Sequence, residues 1–147
     1  MKDELNHRAR LMNDIYNESA ANPVGWEDLS PFLRQSNIAA ADHLIVKARF
    51  LLEEEEMTEL TAEDCRRAYI RFRELYETQA DLLQKTEHRR WMRFHQMYNW
   101  QYAPVRDNAL RRHPLLLPYE QLSVPEQRKD AYAWEMLGRL GERTEQT

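Results

Sequence analysis

AEDCRRAYIRFRELYETQADLLQKTEHRRWMRFHQMY, residues 62–98, runs 37 residues without a glycine or proline. Tyr69, Phe72, Leu75, Tyr76, Leu82 and Leu83 recur in it at helical spacing. Thr61 supplies an N-cap, and Glu63 and Asp64 fall in the first turn, where acids suit the positive end of the helix dipole. At about 1.5 Å per residue one straight helix of this length would overhang a compact domain. The stretch therefore reads as one long helix or two nearly continuous ones, with a bend near Thr78–Thr86.

Toward the N-terminus, the Glu53–Glu56 run reads as a solvated helix end or turn. Before it, Ala39, Ala40, Leu44, Ile45 and Ala48 mark a helix capped by Ser30, with Pro31 at its first position, ending near Leu52. The stretch 20–25 (AANPVG) separates it from an amphipathic helix over 3–18, whose apolar positions are Leu5, Ala9, Met12, Ile15 and Tyr16.

Toward the C-terminus, Asn99 stops the long helix, because asparagine tolerates the left-handed conformation. Trp100-Gln101-Tyr102 reads as extended. Residues 103–118 hold three prolines and read as a structured loop with one helical turn. Ser123-Val124-Pro125-Glu126 matches a capping box. It opens a single last helix with Ala131, Trp134, Leu137 and Leu140 as the buried stripe and Gly138 and Gly141 weakening its end. The expected fold is mainly α: one helical domain of five or six helices with a short extended or β element near 100–103. Its parts are an N-terminal helical segment (1–60), a second region (61–141, core 87–137) and a flexible tail (142–147).

Only 3 glycines and 6 prolines in 147 residues argue against a turn-rich all-β chain. A net charge of −4 argues against general nucleic-acid binding, which needs many Lys and Arg contacts to phosphate. Cys65 is the only cysteine, so an intramolecular disulfide is excluded and a reducing, cytoplasmic setting is expected. The N-terminus is too polar for a signal peptide, and no apolar run reaches membrane-spanning length. There is no CxxC, HExxH or GxSxG, and no phosphate-cradling glycine loop. We therefore expect no metal, no cofactor and no catalytic residue.

Charge is unevenly spread. Residues 85–113 carry seven Lys/Arg against two acids, and residues 53–64 carry seven acids and no Lys or Arg. The basic stretch is also aromatic: Trp91, Tyr98, Trp100 and Tyr102, with Tyr119 beyond, interleave with Arg89, Arg90, Arg93, Arg106, Arg111 and Arg112 and with His88, His95 and His113. Such a mixture suits stacking on a flat group and pairing with an anion. Each member also has a plainer reading. His88, Trp91 and His95 share a helix face and form either a pocket wall or a core tryptophan flanked by satisfied histidines. Arg90 and Arg93 bind a phosphate or carboxylate, or pair with Glu87, Glu126 or the acidic segment. Arg106-Asp107 contacts ligand or pins its own loop, with Asp107 accepting backbone N–H bonds. His113 lines a pocket or bonds a backbone carbonyl. Tyr102 and Tyr119 fit a rim or a core.

Glu87-His88-x-x-Trp91, Trp100-x-Tyr102, Arg106-Asp107, His113-Pro114, Pro118-Tyr119, Leu122, Glu126 and Asp130 follow one another in an order that resembles the ryanodine-receptor repeat (RyR) domain, prokaryotic type. Asn99 and Ala103 stand where the family usually has glycine. Upstream, Trp26-x-x-Leu29, Leu33-Arg34-x-Ser36-Asn37, Ala41-Asp42-His43 and Lys47 resemble the segment preceding RyR domains in some bacterial proteins with a nucleotide-binding domain like that of potassium-uptake regulators. The resemblance implies a stand-alone regulatory part and no catalytic residues. RyR repeats of the eukaryotic calcium-release channels are peripheral cytoplasmic interaction modules.

The expected function is a non-enzymatic binding or regulatory module for a small anionic, nucleotide-like ligand. Its candidate ligand-binding residues are Trp91, Trp100, Tyr102, Arg106, His113, Arg90, His88 and Tyr119. The alternative is a protein-interaction or assembly module, joining a homo-oligomer or a partner protein, without a small-molecule ligand.

Overall fold

The computed structural model describes residues 2–143. The chain is mainly α: α1 (Lys2–Asn17), α2 (Pro31–Leu52), α3 (Ala62–Met97), α4 (Val124–Lys129) and α5 (Tyr132–Arg143), with 3-10 turns at Trp26–Asp28 and Tyr119–Gln121. Two short strands, β1 (Gln101–Tyr102) and β2 (Arg112–His113), pair in parallel. The expected flexible tail, 142–147, lies outside the described residues from 144 on, while Glu142 and Arg143 still belong to α5.

Local chemistry sets the helix ends. Ser30 Oγ accepts the Leu33 N–H at 3.3 Å at the start of α2. Thr61 Oγ1 accepts the Asp64 N–H at 3.1 Å, and Asp64 Oδ2 accepts the Thr61 N–H at 3.0 Å, a reciprocal cap on α3. Glu53 (φ 55°) and Asn99 (φ 65°) take left-handed conformations where α2 and α3 stop. The long helix is broken at Gln79 (φ −126°, ψ 29°), within the expected bend. The Tyr76 hydroxyl donates to Gln84 Oε1 across that break.

Two compact units result, one of residues 2–74 with 133–143, the other Leu75–Tyr132. The start of α3, up to Glu74, falls in the first unit. In the first unit α1 packs on α2. Ala9, Met12, Ile15, Leu44, Ala48, Phe72, Trp134, Leu137 and Leu140 are buried, whereas Tyr16, expected on the apolar stripe, is 57% exposed. Trp134 stacks on Phe72 at 6.1 Å and 5°. The acidic stretch pairs locally: Glu54 and Asp64 bind Arg67, and Glu63 binds Arg66.

The last helix is two helices. Ser123 caps α4, its Oγ accepting the Glu126 N–H at 3.4 Å, but α4 ends at Lys129, with Asp130 as its C-cap, and α5 begins at Tyr132. The expected stripe of Ala131, Trp134, Leu137 and Leu140 is buried across this break. Gly138 and Gly141 do not fray α5. A Cβ at Gly138 would lie 2.9 Å from the Tyr69 ring, and one at Gly141 3.2 Å from the Arg66 backbone N. Both glycines are close-approach positions for α3 residues of the same unit.

Candidate functional site

The aromatic–histidine cluster of the second unit is assembled by the end of α3 and the two strands. Asn99 turns the chain so that the Trp100 N–H reaches the His95 carbonyl at 3.0 Å. The loop 103–111 closes on itself: Asp107 and Arg112 exchange backbone bonds at 3.0 and 2.8 Å, and Asp107 Oδ1 accepts the Leu110 N–H at 3.0 Å. This is the loop-pinning role expected of Asp107. It sets β2 beside β1, with Tyr102 in register with His113.

Trp91 is half-buried and ringed by imidazoles. His88 stacks on it at 5.7 Å, His95 lies at 4.1 Å, and His113 meets it edge-on at 4.9 Å. Trp100 is buried, 5.3 Å from His95 and 6.3 Å from His113. The sequence-derived residues Trp91, Trp100, His88 and His113 therefore do come together, as a packed cluster.

Each imidazole is held in a defined state. His113 Nδ1 accepts the Leu115 N–H at 3.0 Å, so this ring takes a backbone donor and not the carbonyl expected from sequence. Burial, then Arg106, then His95 bring its pKa down to about 4. His95 Nδ1–H donates to the Trp91 carbonyl at 2.9 Å. Burial pulls its pKa down, the carbonyl opposes, and Arg90 and Arg106 add to the lowering. His88 differs. Its Nε2–H donates to the Leu117 carbonyl at 2.7 Å, and Nδ1 lies 3.5 Å from Asp130 Oδ2. Burial disfavours its charged form, but Asp130 and the carbonyl outweigh burial and the net shift is upward. Burial in turn raises Asp130, against the pull of His88.

The other candidates separate into scaffold and surface. Arg90 grips the buried Glu87 with two bonds, 2.7 and 2.8 Å. Tyr119 is buried, receives a bond from Gln84 Nε2 at 2.7 Å and donates to Asp81 at 2.9 Å. Burial first, with Asp81 opposing the Gln84 bond, pushes its phenol up to about 12. Gln84 and Asp81 did not stand out in the sequence, because the loop that brings Tyr119 to them closes over 35 residues. Tyr102 is 49% exposed, and Arg106 is exposed and donates to Asn108 Oδ1 at 2.9 Å.

Residues 67–140, half of the chain, match the RyR domain. The chain belongs to the RyR domain family. No curated protein and no solved structure matches it. The RyR match contains the whole aromatic–histidine cluster and its His88–Asp130 contact, so the landmark residues of the segment form the cluster's scaffold. Among the described residues no helix is long and apolar enough to cross a membrane, and no group of His, Cys, Asp and Glu is placed to hold a metal ion.

Proposed function

We propose that this RyR domain is a non-enzymatic, cytoplasmic binding module for a small anionic, nucleotide-like ligand, engaged at the rim of the Trp91 cluster. The supporting observation is Arg106. It is exposed, it forms no ion pair among the described residues, and its charge depresses two neighbouring imidazoles. Positive charge left uncompensated beside neutral rings favours an anion. Tyr102, in register with His113, offers an exposed ring for stacking, a contact worth roughly 1–3 kcal/mol per base in single-stranded nucleic-acid sites. Trp91 presents its half-buried edge. Trp100, His88, His113, Tyr119 and Arg90 act behind them as scaffold, each bonded or packed as described.

A thermal-shift screen with nucleotides, dinucleotides and ADP-ribose-like compounds tests this. Stabilisation should appear with a phosphate-bearing compound and vanish in Arg106→Ala and Tyr102→Ala, both surface changes that leave the fold intact. No shift with any anion, together with a concentration-dependent dimer by light scattering, would favour the assembly reading. That reading has one observation of its own. Met97 (78% exposed) and Leu110 (64% exposed) flank the contact in which Arg111 donates to the Tyr98 carbonyl.

A further inference from the structure

The first unit contains a cleft that the aromatic segment does not touch. Its volume is about 500 Å³, within the range typical of small-molecule sites, roughly 300–1,000 Å³. The N-terminal half of α1, the segment leading into α3, and Leu140 of α5 enclose it. Its apolar lining is Leu11, Leu60, Ala62, Cys65 and Leu140, of which Leu60, Cys65 and Leu140 are buried. The polar residues are Glu4, His7, Arg8, Glu59 and Thr61.

The charges at this cleft are not equivalent. Arg8 is half-buried and donates to the Leu60 carbonyl at 3.0 Å, so its guanidinium ties the wall together. Glu4 and Glu59 are exposed and form no ion pair among the described residues. Among the described lining residues two carboxylates stand against one cation, Arg8, which leaves the mouth negative over an apolar floor. Burial pushes the Cys65 thiol up to about 11, so the floor remains an uncharged, apolar surface at neutral pH.

We infer that this cleft is a second binding site, for a small organic cation with an apolar body, such as an aryl-alkyl amine. Its ammonium group sits between Glu4 and Glu59, and its apolar body lies on Leu11, Leu60 and Leu140. The site is independent of the Arg106 rim and needs no anion there.

The test is a methyl-resolved NMR titration of the full chain with phenethylamine and, as a charge-reversed match, 3-phenylpropionate. The amine should shift the Leu11, Leu60 and Leu140 methyl signals while the acid leaves them in place. Glu59→Gln and Glu4→Gln should each weaken the amine roughly two- to five-fold, the scale of an exposed ion pair. Ala62→Phe, which fills the cleft from its half-buried wall, should abolish binding. Leu11→Phe provides a second filling variant should Ala62→Phe fail to fold by circular dichroism. The inference is overturned if neither probe moves these methyls, if the acid binds as well as the amine, or if filling the cleft leaves the amine's affinity unchanged.

Discussion

Trp134 in the first unit and Trp91 in the second are both ringed by other side-chain rings, but the chemistry around them differs. Trp134 is 1% exposed, stacked on Phe72 and met edge-on by Phe50. Lys47, itself buried, lies 5.3 Å over its ring and donates to His43 Nδ1 at 2.7 Å. Trp91 is half-buried among three imidazoles, two with depressed pKa values and one raised. The first tryptophan is closed core, packed by two phenylalanines and one buried cation. The second is held by titratable groups, so its surroundings respond to pH and to nearby charge. That difference supports the proposal of ligand recognition at the second.

Removing the apolar tryptophan should have the largest effect. Trp134→Ala should cost about 3–5 kcal/mol, as large-to-small core changes do, read as a shifted urea midpoint. Trp91→Ala should cost less, since its edge already meets solvent; equal losses would erase the contrast between the units. His88→Ala comes next, at about 1–3 kcal/mol, because the half-buried Leu117 carbonyl loses its donor. Gly138→Ala should cost about 1–2 kcal/mol. The clash with the Tyr69 ring exceeds the gain in helix propensity, which is roughly 1 kcal/mol.

The imidazoles sharpen the comparison through pH. His113 in the folded state has a pKa of about 4 against an ordinary 6.5, so the unfolded chain binds its proton more readily. Its contribution is full above pH 6.5 and is lost as the pH falls toward 4. His88 runs the other way. Its folded pKa is raised, so its contribution is full below 6.5 and is lost as the pH rises through that raised value. His113→Asn keeps an acceptor for the Leu115 N–H and removes the titration, so the acid-side loss of stability should become shallower in urea titrations between pH 6.5 and 4.5. An unchanged slope would assign that loss to other groups. The smallest effect belongs to Arg106→Ala, within about 0.5 kcal/mol of wild type by chemical denaturation, as expected for a surface position.

Features that depend on a few neighbouring residues were legible in the sequence. Ser30, Thr61 and Ser123 cap helices because a hydroxyl meets an N–H three residues on, and Asn99 ends α3 because its side chain tolerates positive φ. The bend near Thr78–Thr86 followed from length alone. The break at Asp130 was not legible, since the apolar spacing continues unbroken from Ala131 to Leu140. Nor were the glycines of α5, whose role lies in what faces them. The candidate site was legible as a set of residues but not as a division of labour. The string offers Glu87 as one partner for Arg90, but it does not decide that this pairing forms while Arg106 has only an amide.

The sequence by itself thus determined the helical class, the caps, the family and the clustering of aromatics, histidines and arginines, because periodicity, short-range hydrogen bonding and residue order are properties of neighbours. Only the tertiary structure decided which tryptophan is core, which histidine faces a carboxylate and which a backbone N–H, and where a cleft opens. The state of His88, for example, depends on Leu117 and Asp130, 29 and 42 residues away, meeting it in a low-dielectric interior where each partner sets the other's charge.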